Sequence, residues 1–273
     1  MTTHATPGEL RLRLHLPAGR IELTTWDQPT TEVEIEPIGG DAAAAELAAS
    51  VKQQLRDRPG GGHELVIETP GRRGILGFRR EPELRFAISA PHGAHLYAET
   101  ASADVDGQGR LGGVDVRTAS GDVTLEQVSG DALVKAVSGD VSLSEVGGDA
   151  RVNTVSGDVR VGSVSGNLAI NLVSGDAQVD DAAASVEIKS VSGDVQLDAV
   201  RRGEVRLQSV SGDLTIAVTR GARVWMDVSS LSGDTSSELD VSEGGSTGEA
   251  DLRVRANSTS GDIKLRRSQR APA

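Results

Sequence analysis

The tripeptide Ser-Gly-Asp recurs at Ser120, Ser129, Ser138, Ser156, Ser174 and Ser192, and Gly147-Gly148-Asp149 and Ser165-Gly166-Asn167 fall in the same phase. With a degenerate copy at Ala183, the span from Ser120 to Ser192 is eight steps of nine residues. So short a period constrains the fold more than any other signal: one unit cannot bury a face alone and must stack on its neighbours. With Ser as position one, positions four, six and nine are apolar, as in Val123, Leu125, Val128 and again in Val141, Leu143, Val146. The four-to-six alternation is that of a strand with position five outward. The phase changes before position nine, so the chain turns once per nonapeptide. Gly at position two suits a turn because it reaches positive φ without a Cβ clash. Ser and Asp suit it because their side chains bond nearby backbone N–H groups.

Position four alternates in size: Val123, Ala132, Val141, Ala150, Val159. The structural repeat is therefore read as 18 residues, two strands per coil, with a large column facing a small one across a thin core. This predicts a mainly β fold, a flattened two-sheet β-solenoid over residues 96–265. About nine coils at about 4.8 Å each would make a rod of about 43 Å. The spacing then lengthens: Ser211, Ser232 and Ser260 follow at 19, 21 and 28 residues. Thr219-Arg220-Gly221-Ala222 falls at an expected corner, between strands at Leu214–Val218 and Arg223–Val228. The acidic segment Glu238–Glu249 would be a cap or a recognition loop.

Residues 1–95 read as a small α+β module that caps the solenoid. Leu10, Leu12, Leu14 and Leu16 alternate, Pro17-Ala18-Gly19 is expected to turn the chain into a hairpin, and Ile21 and Leu23 continue. Val33 and Ile35 mark another strand; Leu65–Glu68 and Leu84–Ser89 mark two more. Asp41 is placed as the N-cap of a helix running through Arg58, ended by Gly60-Gly61-Gly62. Residues 266–273 are a basic tail, expected to be a solvated end that limits edge pairing.

Composition excludes whole classes. With no Cys there is no disulfide framework, thiolate zinc site or cysteine nucleophile. No apolar run approaches the ~18 residues of a spanning helix, and the first residues lack the pattern of a secretory leader. A cytoplasmic protein, with peripheral membrane association open to it, is therefore expected. The net charge of −12 does not suit nucleic acid, whose phosphates select Lys and Arg. Residues 96–265 carry 14 basic against 27 acidic side chains, so the repeat is the acidic part.

Four features together, namely the hairpin Leu14–Leu23, the strand ending in Ala90-Pro91-His92-Gly93, Ser102-Ala103-Asp104-Val105 and the Ser-Gly-Asp-Val ladder, carry a resemblance. Over nearly its whole length the chain resembles the bacterial putative adhesin family, a β-strand-repeat domain of unknown function. The resemblance implies a β-solenoid behind a strand-rich N-terminal module, and carries over no catalytic residue.

The motifs that could carry chemistry divide sharply. Asp122, Asp140, Asp158, Asp176 and Asp194 recur every 18 residues and should stack along one edge. Neighbouring carboxylates so stacked repel by about 0.9 kcal/mol in water. A cation-binding edge would offset this, but calcium wants six to eight oxygens, and bonding to backbone N–H groups is the preferred reading. Paired carboxylates hydrolyse glycosides only from one cleft with unlike environments, which a repeated Asp does not provide. His92 and His95 lack a third metal ligand, and no His-Glu-x-x-His motif occurs. Neither an enzyme nor a cofactor site is expected. The remaining candidate is an interaction loop, Arg72, Arg73, Ile75, Leu76, Phe78, Arg79 and Arg80, four cations around three large apolar side chains in an acidic protein. It suits an anionic membrane surface or an acidic protein partner. The function expected is a non-enzymatic scaffold or adhesin-like interaction protein. The alternatives are a structural protein that self-associates end to end and a calcium-stabilised β-roll.

Overall fold

The computed structural model describes residues 1–40, 42–70, 82–239 and 250–268. It is mainly β and divides into two compact units, Met1–Asp140 and Val141–Ala273.

The first unit holds strands β1 (Thr2–Ala5), β2 (Leu10–Trp26) and β3 (Thr30–Pro37), helix α1 (Ala42–Ser50), and strands β4 (Lys52–Asp57), β5 (His63–Glu68), β6 (Leu84–Pro91), β7 (His95–Leu111), β8 (Val114–Thr118), β9 (Val123–Val128) and β10 (Ala132–Ala136). The expected hairpin at Leu14–Leu23 is absent. The chain crosses Pro17-Ala18-Gly19 without reversing, and β2 stays parallel to β7 on both sides of that point. On its other edge β2 pairs with β5 through Leu10–His15 and with β6 through Gly19–Trp26, both parallel. Gly19, at φ 120°, turns a solenoid corner instead. A Cβ there would lie 1.9 Å from the Leu84 carbonyl oxygen. The inward set accordingly shifts from Leu14, Leu16 and Ala18 to Ile21 and Leu23, all buried.

The helix is also shorter than its sequence suggests. It stops at Ser50, and Lys52–Asp57 forms β4, antiparallel to β5, with Gly60, Gly61 and Gly62 at positive φ in the connecting turn. Lys, Gln, Leu and Arg favour helices locally, but β5 offers a six-residue edge whose ladder outweighs that preference. Asp41 lies outside the described residues. Strand β6 pairs antiparallel with β3, and β3 with β1, so this end of the unit is closed by antiparallel strands. Arg85 of β6 ties the layer together, donating to Glu22 at 2.6 Å and to Glu36 at 2.8 Å. The guanidinium hydrogen bond lowers the Glu22 carboxyl below its ordinary pKa.

The second unit consists of β11 (Val141–Val146), β12 (Ala150–Ser156), β13 (Val159–Val164), β14 (Leu168–Ser174), β15 (Ala177–Ala182), β16 (Val186–Ser192), β17 (Val195–Val200), β18 (Gly203–Ser211), β19 (Leu214–Val218), β20 (Val224–Ser232), β21 (Thr235–Ser237), β22 (Leu252–Ser260) and β23 (Ile263–Arg267). They form the predicted solenoid, two parallel strands per 18-residue coil. One column runs β12, β14, β16, β18, β22, β20. The other runs β11, β13, β15, β17, β19, β23, β21. Sequence order and spatial order part company at the end: the final coil, β22 and β23, inserts between β18/β19 and β20/β21, leaving β20/β21 as the terminal coil.

Position six is the spine of the core: Val152, Val161, Ile170, Val179, Ile188, Leu197, Leu207 and Ile216 are buried. The large-small alternation at position four does not persist. Leu168 stands in the column of Ala150, and Ala177 in the column of Val159. Position nine separates by parity. Val146, Val164, Ala182 and Val200 are buried, whereas Val155, Val173, Val191 and Val210 are 46%, 46%, 47% and 51% exposed. The two nonapeptides of a coil therefore turn differently, one tucking its last side chain under the sheet and the other leaving it outside. Arg266 and Arg267 belong to β23, where Arg266 donates to Asp198 at 2.9 Å.

Candidate functional site

The most regular polar feature is consumed by the fold. Along one column of corners the Asp side chain accepts the backbone N–H of the Asp one coil further on. Asp104 takes Asp122 at 3.1 Å and Asp122 takes Asp140 at 2.9 Å. In the second unit Asp158 takes Asp176 at 3.0 Å, and Asp176 takes Asp194 at 2.8 Å. The series runs on through Asp213 and Asp262 to Asp234. The carboxylates are bonded to backbone N–H groups, but between coils rather than within one turn. Glycine is required beside them because the coils approach so closely. A Cβ on Gly193 would lie 2.0 Å from the Gly175 carbonyl oxygen, at φ 122°. Among the described residues no group of three or more His, Cys, Asp or Glu is placed to share a metal ion.

The repeat thus builds the scaffold, and a non-repeating cluster in the first unit is the better candidate for recognition. Parallel register sets Arg13 of β2 beside Tyr97 of β7, and Tyr97 beside Asp115 of β8, all on the outward face. The Arg13 guanidinium lies 4.7 Å from the Tyr97 ring centroid and that of Arg117 5.5 Å, so two cations stack on one ring. Arg117 is held by Asp115 at 3.2 Å, an ion pair that raises the arginine's pKa. Arg13 lies 3.7 Å from Glu64. Beside the ring is an open cavity of about 360 Å³ lined by Arg13, His15, Lys52, Glu68, Thr69 and Tyr97. The Thr69 hydroxyl is buried at its rim with no hydrogen-bond partner among the described residues. Such a surface can hold an extended polar or acidic segment. Arg13 and Tyr97 are 84 positions apart, and only the β2–β7 register brings them together. The concentration of aromatic residues toward the N-terminal half was the one sequence signal available.

His92 and His95 are structural: the Thr25 hydroxyl pairs with His92 Nδ1 at 2.9 Å, and the Gly113 N–H donates to His95 Nδ1 at 3.0 Å. The sequence-derived loop of Arg72, Arg73, Ile75, Leu76, Phe78, Arg79 and Arg80 lies outside the described residues. Pro70, just before it, lines the Tyr97 cavity.

A stack of parallel two-strand coils locked by an inter-coil Asp ladder defines this protein as a Ser-Gly-Asp β-solenoid. Residues 20–266 match the Toastrack DUF4097 family, and the chain belongs to it. No curated protein matches the chain. Two solved bacterial structures are similar. One is a putative cell adhesion protein from Clostridium sporogenes, with 11% identity, 96% of this chain and 93% of that chain covered, and a TM-score of 0.29. The other is a putative adhesin from Bacteroides fragilis, with 15% identity, 97% and 95% covered, and a TM-score of 0.33. Superpositions at that level carry no argument about function. No helix among the described residues is long and apolar enough to cross a membrane.

Proposed function

We propose that this Toastrack chain is a non-enzymatic, adhesin-like scaffold that binds an anionic membrane surface through Arg72, Arg73, Ile75, Leu76, Phe78, Arg79 and Arg80. In this reading residues 1–95 are the cap module that carries the loop and residues 96–265 the repeat scaffold, whose last strand runs on to Arg267. The observation that carries it is the use of the repeated carboxylates as acceptors for the neighbouring coil's N–H groups. The ladder is thereby occupied with structure, and recognition falls to residues outside the repeat. In a chain of net charge −12 a cluster of four Arg is the part that anionic lipid would attract most, which would orient the protein on the surface. Anionic lipid concentrates on the cytoplasmic leaflet, and in this reading the protein acts at that face.

The test is co-sedimentation with vesicles of phosphatidylcholine alone or mixed with phosphatidylserine. Binding is expected only to the mixed vesicles, and is expected to fall steeply with salt and to disappear when the four loop arginines are replaced by Glu. Equal retention of the wild type and that variant would overturn the reading.

A further inference from the structure

The terminal coil of the second unit is built like an interior coil but, among the described residues, is covered on one side only. Among the described residues β20 pairs with β22 alone. Its inward side chains Val224, Met226 and Val228 are half-buried, whereas their register partners Leu252, Val254 and Ala256 are fully buried. Trp225 is 45% exposed, with Arg255 over its ring at 5.5 Å, and Leu231 is 85% exposed. The strand carries one charge, Asp227, and neither Lys nor Pro, the usual devices that keep an edge from pairing. The edge strand β4, by contrast, is protected by Lys52, Arg56 and Asp57.

We propose that this edge is a self-recognition surface: β20 pairs antiparallel with β20 of a second copy about a two-fold axis at Val228. Two observations select a second copy in this arrangement. First, the N-terminal end of the first unit is closed by antiparallel strands, so it does not present a parallel coil for head-to-tail addition. Like-to-like pairing is then the arrangement that satisfies the edge, and it closes at two copies. Second, the strand is self-complementary. The Arg223 carbonyl accepts from Leu252 at 3.2 Å. Alternation along the strand therefore turns the N–H and C=O of Val224, Met226, Val228 and Ser230 toward the free edge. Centred on Val228, these groups meet in hydrogen-bonded pairs, Val228 with its equivalent and Met226 with Ser230 of the other copy. The same register sets Trp225 against the other Leu231, covering the two most exposed apolar side chains of the coil, and sets Asp227 opposite Ser229 rather than another Asp.

The full chain should sediment as a mixture moving from one copy, 28.3 kDa, to two as concentration rises, and no further. Leu231→Lys points outward and leaves the fold intact; it should weaken the pairing about tenfold. The chain has no Cys, so a disulfide in Val228→Cys can form only between copies. A hydrogen-bonded antiparallel pair holds its Cα atoms about 5.5 Å apart, within disulfide range. Oxidation should link Val228→Cys quantitatively and leave Val173→Cys largely unlinked. A constant one-copy mass would overturn the proposal and point to another segment, such as residues 240–249, covering the edge. Growth beyond two copies would overturn it in favour of end-to-end polymers. Failure of vesicle binding would leave this result untouched, because the loop takes no part in it.

Discussion

At the scale of the residue, the fold depends on positions where one coil's backbone touches the next. Gly193 combines φ 122° with a Cβ position 2.0 Å from a backbone oxygen, so no rotamer relieves the clash. Gly193→Ala should cost about 3 kcal/mol or more in urea unfolding. Gly221→Ala, also at positive φ but with nothing within 4 Å, should cost about 1 kcal/mol. Equal costs would show that dihedral strain, not coil contact, explains the repeated glycine of the corner. Asp176 accepts the Asp194 N–H at 2.8 Å on an exposed corner. Asp176→Ala should cost about 1 kcal/mol, and Asp176→Asn, which keeps the acceptor and removes a repelling charge, should cost less.

At the scale of the element, the two nonapeptides of a coil are not equivalent. Val200 is buried and Val191 is 47% exposed, although both occupy position nine. Val200→Ala should lower stability by about 2 kcal/mol, and Val191→Ala should stay within about 0.5 kcal/mol of wild type. A comparable loss at both sites would contradict the parity of the turns. In the closing strands of the first unit, the Arg85 hydrogen bond holds the Glu22 pKa below its ordinary 4.5. A lowered carboxylate pKa stabilises the folded state above the unfolded value and loses that contribution as pH falls through the folded one. Stability should thus decline on acidification below about 4.5 by less in Arg85→Ala than in wild type, and the Glu22 carboxyl should titrate higher in the variant by NMR.

At the scale of the whole molecule, the Asp series behaves as a hydrogen-bonding device rather than a metal edge. Chelation of divalent cations should leave the melting temperature unchanged. A drop of several degrees would revive the calcium-stabilised roll. Much of the architecture was legible beforehand. The nine-residue spacing, the strand alternation at positions four and six and the 18-residue coil all follow from the order of residues, because a periodic chain meets the same neighbours in every turn. What was missed has a common cause. Lys52–Asp57 reads locally as helix and Pro17-Ala18-Gly19 as a reversal, yet pairing partners outside each segment, β5 across the next turn for one and β7 some 84 residues on for the other, set both as strand. The exposure of Val155, Val173, Val191 and Val210 depends on which way a corner closes. The stacking of Arg13 and Arg117 on Tyr97, and the insertion of β22 and β23 inside β20 and β21, are matters of long-range register. The repeat by itself determined that this chain must coil and stack, since no nonapeptide can bury its own apolar face. Tertiary structure alone decided which strands stand at an edge among the described residues, β4 in the first unit and β20 in the second, because edges and termini have no periodic neighbour to dictate their partner.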